Sequence, residues 1–467
     1  MKFSLKLTVA CVALAALLLP ARPAGAYSVM THEQLIDLTW DKSIVPLLLS
    51  RYPALTPAQI EHARAFAYGG CVIQDIGYYP FGDPFFSELT HYVRAGDFVV
   101  NLFRNAGNAD ELAFAVGALS HYIGDTVGHS TATNLAVPIE FPKLKARYGD
   151  NVNYAQGVRQ HVQTEFAFDI NEIAHRRFAP VHYLRHVGLQ VPTKQLSLAF
   201  YQTYGLRADF SSKRGKRINV GGYRFAVRAF IPRIAYAITL LHGKHEPAEL
   251  MDDDLRKLDA DIAAIAAKND WDAYRKKPGM GTYSLAGLLY VLPKWGALKL
   301  VAVKGPTQDT EAAYLRSVIR STDLLSRALR RFTPPPATVA DKHSGPPPGR
   351  PVLARVGAFQ GLADGPQHPL ANRDLDTGNL VKPGGYRLTD DTYANLLHQE
   401  AEHPELPIPP GIKADILAYY VDLSMPYATK KNAKQWAQVQ KDLATLQTIH
   451  TSNELTPYAT YGDEDDD

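Results

Sequence analysis

The chain has 467 residues, of which 46% are hydrophobic and 21% charged, a composition typical of soluble globular proteins with one large core or two domains. Its formal net charge is +3, and loss of residues 1–26 would remove Lys2, Lys6 and Arg22 but no acid, leaving zero. The whole-chain charge therefore excludes a strongly basic nucleic-acid-binding protein, although local basic patches stay open.

The N-terminus has the three parts of a secretory signal peptide. Lys2 and Lys6 precede an apolar run at 7–19, and the small residues Ala24 and Ala26 flank Gly25 at a cleavage site. Residues 1–26 are therefore predicted to be a signal peptide, and the mature protein to be secreted or periplasmic. A membrane anchor is the alternative, but the apolar run is short for a span.

Helical patterns dominate the rest of the chain, and strand-like alternation is scarce. The predicted helical segments are 56–67, 109–128, 154–175, 224–241 and 252–268, then a helix capped near Thr389 and two helices within 411–448. The fold class expected from them is all-α.

The domain boundaries follow from composition. The segment 333–351 contains PPP twice and predicts an extended linker between a helical domain at 27–332 and a smaller, mostly helical C-terminal region at 352–460. The acidic residues of 461–467 predict a disordered tail.

A row of metal-ligand types lies in the segment GALSHYIGDTVGHS. His121, Asp125 and His129 recur every fourth residue, so a helix projects all three from one face about 6 Å apart. A solvated helix face is the alternative, but the apolar run at 112–119 predicts burial, and buried ionisable groups need partners. The spacing suits a multinuclear site in which Asp125 bridges and the two histidines serve different ions.

Further ligand types surround this row in the sequence. His161 and Glu165 repeat the four-residue spacing on a second helix, whereas Asp75 and His91 lie in or near loops. His32 begins the series shortly after the cleavage site. Zinc accepts such nitrogen and oxygen ligands readily.

The order His, Asp, His, HxxxDxxxH, HxxxE after a signal peptide resembles the zinc-dependent phospholipase C family, which shares a trinuclear zinc site with the S1/P1 nucleases. The resemblance covers about residues 27–330 and implies a phospholipase C/P1 nuclease-like helical bundle. It also implies three zinc ions. The implied ligands of the first zinc are Asp75, His91, His121 and Asp125. The implied ligands of the second zinc are His129, His161 and Glu165. The implied ligands of the third zinc are His32, Asp125 and the amine and carbonyl of Tyr27.

Two positions and one interval depart from the usual pattern of that family. Tyr27 stands where the family usually has Trp, and Gln74 where it often has Pro, and neither contributes a side-chain ligand. Three residues separate Asp125 from His129, an interval found in the glycosylphosphatidylinositol phospholipase D branch but not in bacterial secreted phospholipases C or the nucleases. This interval weakens transfer of a substrate by analogy.

The expected activity is hydrolysis of phospholipids or related phosphate esters by a metal-activated water. Asp125 as bridging carboxylate and Asp75 as the group that orients or deprotonates the water are the expected catalytic residues. Two alternatives stay open: an S1/P1-type nuclease, the only reading with a nucleic-acid substrate, and a non-catalytic, metal-dependent lipid- or surface-binding protein.

Other segments have two readings each. The apolar stretch 284–303 is expected to pack in the core or to contact a lipid interface through Trp295 and Leu298. The basic cluster at 213–217 is a solvated loop or a phosphate-binding patch. His62 is expected on the surface or behind the ligands, and the pair His182 and His186 on an exposed basic face.

Overall fold

The computed structural model describes residues 28–78, 82–208, 210, 220–242, 252–277, 279–291, 303–332, 368–452 and 454. Within these ranges the protein is all-α, as predicted: no strand is present, and Arg373–Leu380 and Ile408–Thr451 form isolated β-bridges. No described helix is both long and apolar enough to cross a membrane.

Twenty α-helices are described. Those before the site-bearing central helix are α1 Val29–Thr39, α2 Val45–Arg51, α3 Pro57–Gly70, α4 Pro84–Tyr92 and α5 Ala95–Arg104. The next are α6 Ala109–Gly128, α7 Asn134–Glu140, α8 Pro142–Tyr148, α9 Val158–Ala174, α10 Val181–Val187, α11 Thr193–Tyr204, α12 Val220–Phe225 and α13 Ile231–His242. The last are α14 Asp253–Lys268, α15 Trp271–Tyr274, α16 Met280–Val291, α17 Gln308–Phe332, α18 Arg387–Glu402, α19 Pro410–Tyr419 and α20 Ala433–Thr448.

Shorter turns of other pitch connect these helices. The 3₁₀ turns are Ile73–Tyr78, Tyr154–Gln156 and Ala428–Lys431, and the π-helical turns are Trp40–Ile44, His129–Thr133 and Ala226–Phe230. The π turn that begins at His129 follows α6 directly, and π turns often occur at functional sites.

Helix α6 is the centre of the bundle and packs against α1, α2, α3, α5 and α17. Its bounds match the predicted segment 109–128, and it begins where the side chain of Asn108 accepts a hydrogen bond from the Glu111 amide, 2.9 Å away. Its apolar run, residues 112–119, is fully buried, as the sequence predicted. The ionisable residues farther along α6 therefore lie in a dry interior.

Helices α3 and α6 approach closely because both carry glycine at the contact. A Cβ atom on Gly117 would lie 2.3 Å from the carbonyl oxygen of Ala67, and one on Gly70 would lie 2.1 Å from that of Phe114. Any larger residue at either position would push the helices apart.

The other predicted helices were found with changed boundaries. Helix α14 is preceded by Asp252 as N-cap, α3 by a Thr56–Gln59 capping box, and α19 and α20 are the two helices of 411–448. The segment 154–175 is broken at Gly157, whose backbone is not helical. The cap predicted near Thr389 is wrong, because the helix begins at Arg387 and Thr389 is buried inside its first turn.

The C-terminal region packs directly onto the helical bundle. Helix α18 contacts α4, which carries His91, and also packs on α20. The predicted signal peptide at 1–26, the predicted linker at 333–351 and the predicted tail at 461–467 lie outside the described residues.

Of the apolar stretch 284–303, the structure describes residues 284–291, in α16, and residue 303. Ala286 and Leu289 are buried against neighbouring helices, whereas Tyr290 is 76% and Val291 78% exposed. Packing in the core is therefore correct for one face of α16, while the other face is apolar and exposed. Trp295 and Leu298 lie outside the described residues.

Candidate metal centre

Asp125 lies at the meeting point of three histidines from three helices. Its Oδ1 is 3.2 Å from Nε2 of His32 on α1, and its Oδ2 is 3.3 Å from Nε2 of His91 on α4 and 3.2 Å from Nε2 of His121 on α6. All four side chains are fully buried. The α-helical spacing thus brings His121 and Asp125 together, and the tertiary fold adds the other two.

Asp75 reaches the same cluster from the 3₁₀ turn Ile73–Tyr78. Its Oδ1 lies 3.4 Å from Nε2 of His91 and 4.0 Å from Nε2 of His121. Gln74, one of the residues that depart from the family pattern, donates from Nε2 to the carbonyl oxygen of Ala118, 2.9 Å away. This hydrogen bond ties the turn to α6 and places the Asp75 carboxylate beside the histidines.

His129, His161 and Glu165 form a second group. Nε2 of His129 lies 3.6 Å, and Nδ1 of His161 2.7 Å, from Oε1 of Glu165. His161 and Glu165 lie one turn apart on the same face of α9, as the spacing predicted. The backbone amide of His129 donates to the carbonyl oxygen of Asp125, which is the hydrogen bond of a regular α-helix. The one-face spacing of His121, Asp125 and His129 is therefore kept, and the π turn begins only at His129.

The outer ring nitrogens of His91 and His121 are held by backbone carbonyls. Nδ1 of His91 lies 2.7 Å from the oxygen of Ser87, and Nδ1 of His121 lies 3.0 Å from that of Cys71. A carbonyl oxygen only accepts, so each Nδ1 carries a proton and each Nε2 is the nitrogen that faces the carboxylates. Such orientation of imidazoles by an outer partner is typical of metal sites.

The corresponding partners of the second group come from elsewhere in the chain. Nδ1 of His129 lies 2.7 Å from the carbonyl oxygen of Leu375, and Nε2 of His161 lies 2.7 Å from Oδ1 of Asn134. Asn134 in turn donates from Nδ2 to the carbonyl oxygen of Asp376, at 2.8 Å. The segment that the sequence places beyond the linker therefore contacts His129 directly and His161 through Asn134.

The pKa values of the site residues are strongly shifted by burial and by the neighbouring charges. Burial alone would lower the pKa of His91, but the nearby carboxylates of Asp125 and Asp75 raise it to about 10. Burial opposes ionisation of Asp125 as well, yet His121 and the other histidines hold its pKa well below the usual range. Burial raises the pKa of Glu165 to about 8. Burial thus disfavours the charged form of these carboxyl groups, and nearby positive charge is what offsets this cost.

The donor set fits zinc. Both oxygens of Asp125, Oδ1 of Asp75 and Nε2 of His129 are buried without a hydrogen bond, a costly arrangement that a cation would relieve. Three sets of potential ligands have one atom per residue within 4.8 Å of the others: His32, His121 and Asp125; Asp75, His91 and His121; and His129, His161 and Glu165. Imidazole nitrogens combined with carboxylate oxygens are the ligands zinc uses in catalytic sites.

The remaining predicted ligand, Tyr27, lies outside the described residues. The neighbouring backbone is tied to α9, because the amide of Met30 donates to Asp169 Oδ2 at 3.2 Å and Oγ1 of Thr31 donates to Asp169 Oδ1 at 2.7 Å. Asp169 follows Glu165 by four residues on the face that carries His161, so the spacing alone could have indicated it.

Glu172, His175 and Glu311 form a further cluster of residues that could bind a metal. The guanidinium of Arg177 already provides this cluster with a positive charge. Nη1 of Arg177 lies 2.9 Å from Oε1 of Glu172 and 3.1 Å from Oε1 of Glu311. We interpret this group as a buried ion-pair cluster that joins α9 to α17.

The histidines expected on the surface are exposed. Nδ1 of His62 lies 3.1 Å from Oδ2 of Asp110, and His182 and His186 are exposed on α10. The basic cluster at 213–217 lies outside the described residues.

Comparison with known protein families agrees with this geometry. Residues 31–211 match the family described as zinc dependent phospholipase C. The match contains every predicted ligand except Tyr27, and it supports assigning the chain to that family. No curated protein and no solved structure matches the chain significantly.

Leu375, Asp376 and Asn134 are the residues of the centre that sequence reasoning missed. Leu375 acts through its backbone, so its residue type carries no signal. Asp376 lies in the turn sequence RDLDTGN, far from every ligand in the chain.

Proposed function

We propose that this protein is an exported phosphodiesterase that holds three zinc ions and hydrolyses phospholipids or related phosphate esters. The family match and the clusters of ligand types support the coarser description, a zinc-dependent hydrolase of phosphoric esters. The observation that carries the proposal is the approach of three imidazole Nε2 atoms to within 3.3 Å of the two oxygens of Asp125.

The role proposed for each residue follows from its position in the site. Zinc bound here would lower the pKa of water toward neutrality and neutralise phosphate charge. Asp125 would be shared between two of the cation pockets because each of its oxygens faces different histidines. Asp75, whose Oδ1 has no hydrogen bond, would accept the proton of the attacking water.

The test of catalysis uses the full chain and a panel of phosphodiesters: p-nitrophenylphosphocholine, phospholipid vesicles and single-stranded DNA. We expect turnover of the first two, abolished by a chelator and restored by zinc. The variant His91→Ala should lose activity, and His62→Ala, which changes an exposed histidine, should keep it. Preferential release of nucleotides from DNA would favour the nuclease alternative, and bound zinc without hydrolysis of any substrate would favour a binding protein.

A phospholipid substrate requires contact with a lipid surface, and we propose the exposed face of α16 for this contact. Tyr290 and Val291 are exposed there together with Met280, which is 87% exposed and follows the exposed Lys276 and Lys277. Apolar and aromatic side chains beside lysines are typical of interfacial helices at anionic membranes.

Co-sedimentation with vesicles containing anionic phospholipid tests this surface. Val291→Ser should weaken binding several-fold, whereas Val421→Ser, which changes a valine 82% exposed in the C-terminal region, should not. Equal binding by both variants would exclude α16 as the contact.

Export is proposed from residues 1–26 and has its own test. The N-terminus of the protein recovered after expression in a secreting host should be Tyr27. Recovery of an active protein that begins at Met1 would contradict both export and the proposed Tyr27 ligand.

A further inference from the structure

Residues 370–378, here called the strap, lie across the helices that carry the predicted ligands. The Leu375 amide donates to the carbonyl oxygen of His91 at 3.1 Å, and Oη of Tyr122 donates to the carbonyl oxygen of Ala371 at 2.6 Å. Close approach is allowed by Gly96, where a Cβ would lie 2.4 Å from the Leu370 and Ala371 oxygens. The strap is thus joined to α4, α5 and α6.

The strap also supplies the outer partners of the second ligand group. The carbonyl oxygen of Leu375 accepts from Nδ1 of His129, and the carbonyl oxygen of Asp376 accepts from Asn134, whose Oδ1 faces Nε2 of His161. Because the Asn134 amide nitrogen is committed to the strap, its oxygen must face His161 and accept from Nε2. Nδ1 of His161 is then the atom that presents a lone pair toward Glu165.

Asp376 holds the strap in this position. Its carboxylate is fully buried, and Oδ2 accepts hydrogen bonds from Oη of Tyr92 at 2.9 Å and of Tyr386 at 2.6 Å. Its Oδ1 lies 3.7 Å from Nδ1 of His129 and has no hydrogen bond. Tyr92 is the residue after His91, so this carboxylate links the C-terminal region to a ligand helix.

We infer that the strap is part of the metal centre: its carbonyls set which ring nitrogens of His129 and His161 face the second pocket, and Asp376 is a positioning residue. The inference rests on the proposed function for the identity of the metal, but its test measures binding without substrate. It assigns a role in the centre to a region well beyond the 31–211 family match.

The strap can be displaced by one methyl group. Gly378 has φ of +72°, and a Cβ there would lie 2.7 Å from the carbonyl oxygen of Thr126, the residue after Asp125. Gly149 has φ of +88° and nothing within 4 Å of such a Cβ, so Gly149→Ala also places an alanine at positive φ but causes no clash. Comparison of Gly378→Ala with Gly149→Ala therefore separates the effect of the contact between the strap and α6 from the effect of an alanine at positive φ.

The experiment is zinc titration of the full-length chain, with cobalt(II) absorption as the second readout. Gly378→Ala and Asp376→Ala should weaken one class of site by about 10–100-fold, the loss typical of outer-partner changes, and alter the cobalt spectrum. Gly149→Ala should behave like the wild type. Asp376→Asn, which keeps an acceptor oxygen for the tyrosines, should recover part of the affinity.

Wild-type affinity and an unchanged cobalt spectrum in both Gly378→Ala and Asp376→Ala would overturn the inference. Thermal melting checks that each variant is folded, and if Asp376→Ala does not fold, Gly378→Ala and Asp376→Asn carry the test. Failure of the proposed function looks different: the variants would still lose zinc, but the wild type would hydrolyse no phosphodiester.

Discussion

The imidazole of His129 donates from Nδ1 to the carbonyl oxygen of Leu375, 2.7 Å away, although 246 positions separate the two residues in the chain. His129 ends the ligand row of α6, and Leu375 belongs to the C-terminal region. The candidate metal centre therefore draws on the central helix α6 and on the C-terminal region, and loss of either contact would be expected to affect it.

Replacement of Asp125 should empty more than one metal pocket. Asp125→Asn keeps the shape of the side chain but removes the charge that faces three imidazoles. Because Asp125 is a direct ligand candidate, we expect a larger loss than the roughly 10–100-fold loss of affinity caused by outer partners. Metal analysis by mass spectrometry measures it. Full zinc occupancy and activity in this variant would contradict the shared role of Asp125.

Gly117→Ala should destabilise the protein by about 1–3 kcal/mol through overpacking, because the new methyl group would meet the Ala67 carbonyl across the α3–α6 contact. Gly287→Ala is the control, since a Cβ on this exposed residue of α16 would meet nothing within 4 Å. That change should be neutral or stabilise by about 0.5–1 kcal/mol. Urea unfolding monitored by circular dichroism distinguishes them, and equal midpoints would refute the close contact.

Arg64 forms a buried ion pair whose loss should be costly. Nη2 of Arg64 lies 2.7 Å from Oδ1 of Asp37, and the two side chains are 3% and 2% exposed. Arg64→Ala would leave the carboxylate buried without its cation, at a cost of about 3–5 kcal/mol.

The control for this pair is Lys42→Ala, which removes the partner of Asp261 from a bridge 59% and 36% exposed. We expect at most about 1 kcal/mol there. The free energy of unfolding from denaturant titration provides both values, and a loss in Arg64→Ala no larger than in Lys42→Ala would contradict the prediction.

Glu400 should make stability fall as the pH rises. Burial raises its pKa from 4.5 to about 8, so between these values the folded protein holds a proton that the unfolded chain has released. This difference lowers the free energy of unfolding by up to about 1.4 kcal/mol per pH unit.

Glu400→Gln should therefore be more stable than the wild type at pH 8, with the advantage vanishing near pH 4.5. Thermal melts across this range test it, with Glu405→Gln, an exposed change, as control. An advantage of Glu400→Gln that does not depend on pH would show that titration of Glu400 is not its cause.

Local pattern was sufficient for α6 and α9, but it did not predict α1 or α4, the helices that carry His32 and His91. The apolar run and the Asn108 cap determine α6, and its periodicity places His121, Asp125 and His129 on one face. The same periodicity pairs His161 with Glu165 on α9. These relationships involve only neighbouring turns of one helix, where residue type and spacing are enough.

The sequence by itself determined the all-α class and the types of ligand. Only the tertiary structure decided that α1, α4 and α6 meet at Asp125, that α16 leaves Tyr290 and Val291 exposed, and that the strap lies on the second pocket. The physical reason is that helix packing sets distances between remote residues. The carbonyl of Leu375, moreover, belongs to the backbone, which is the same for every residue type and leaves no mark in the sequence.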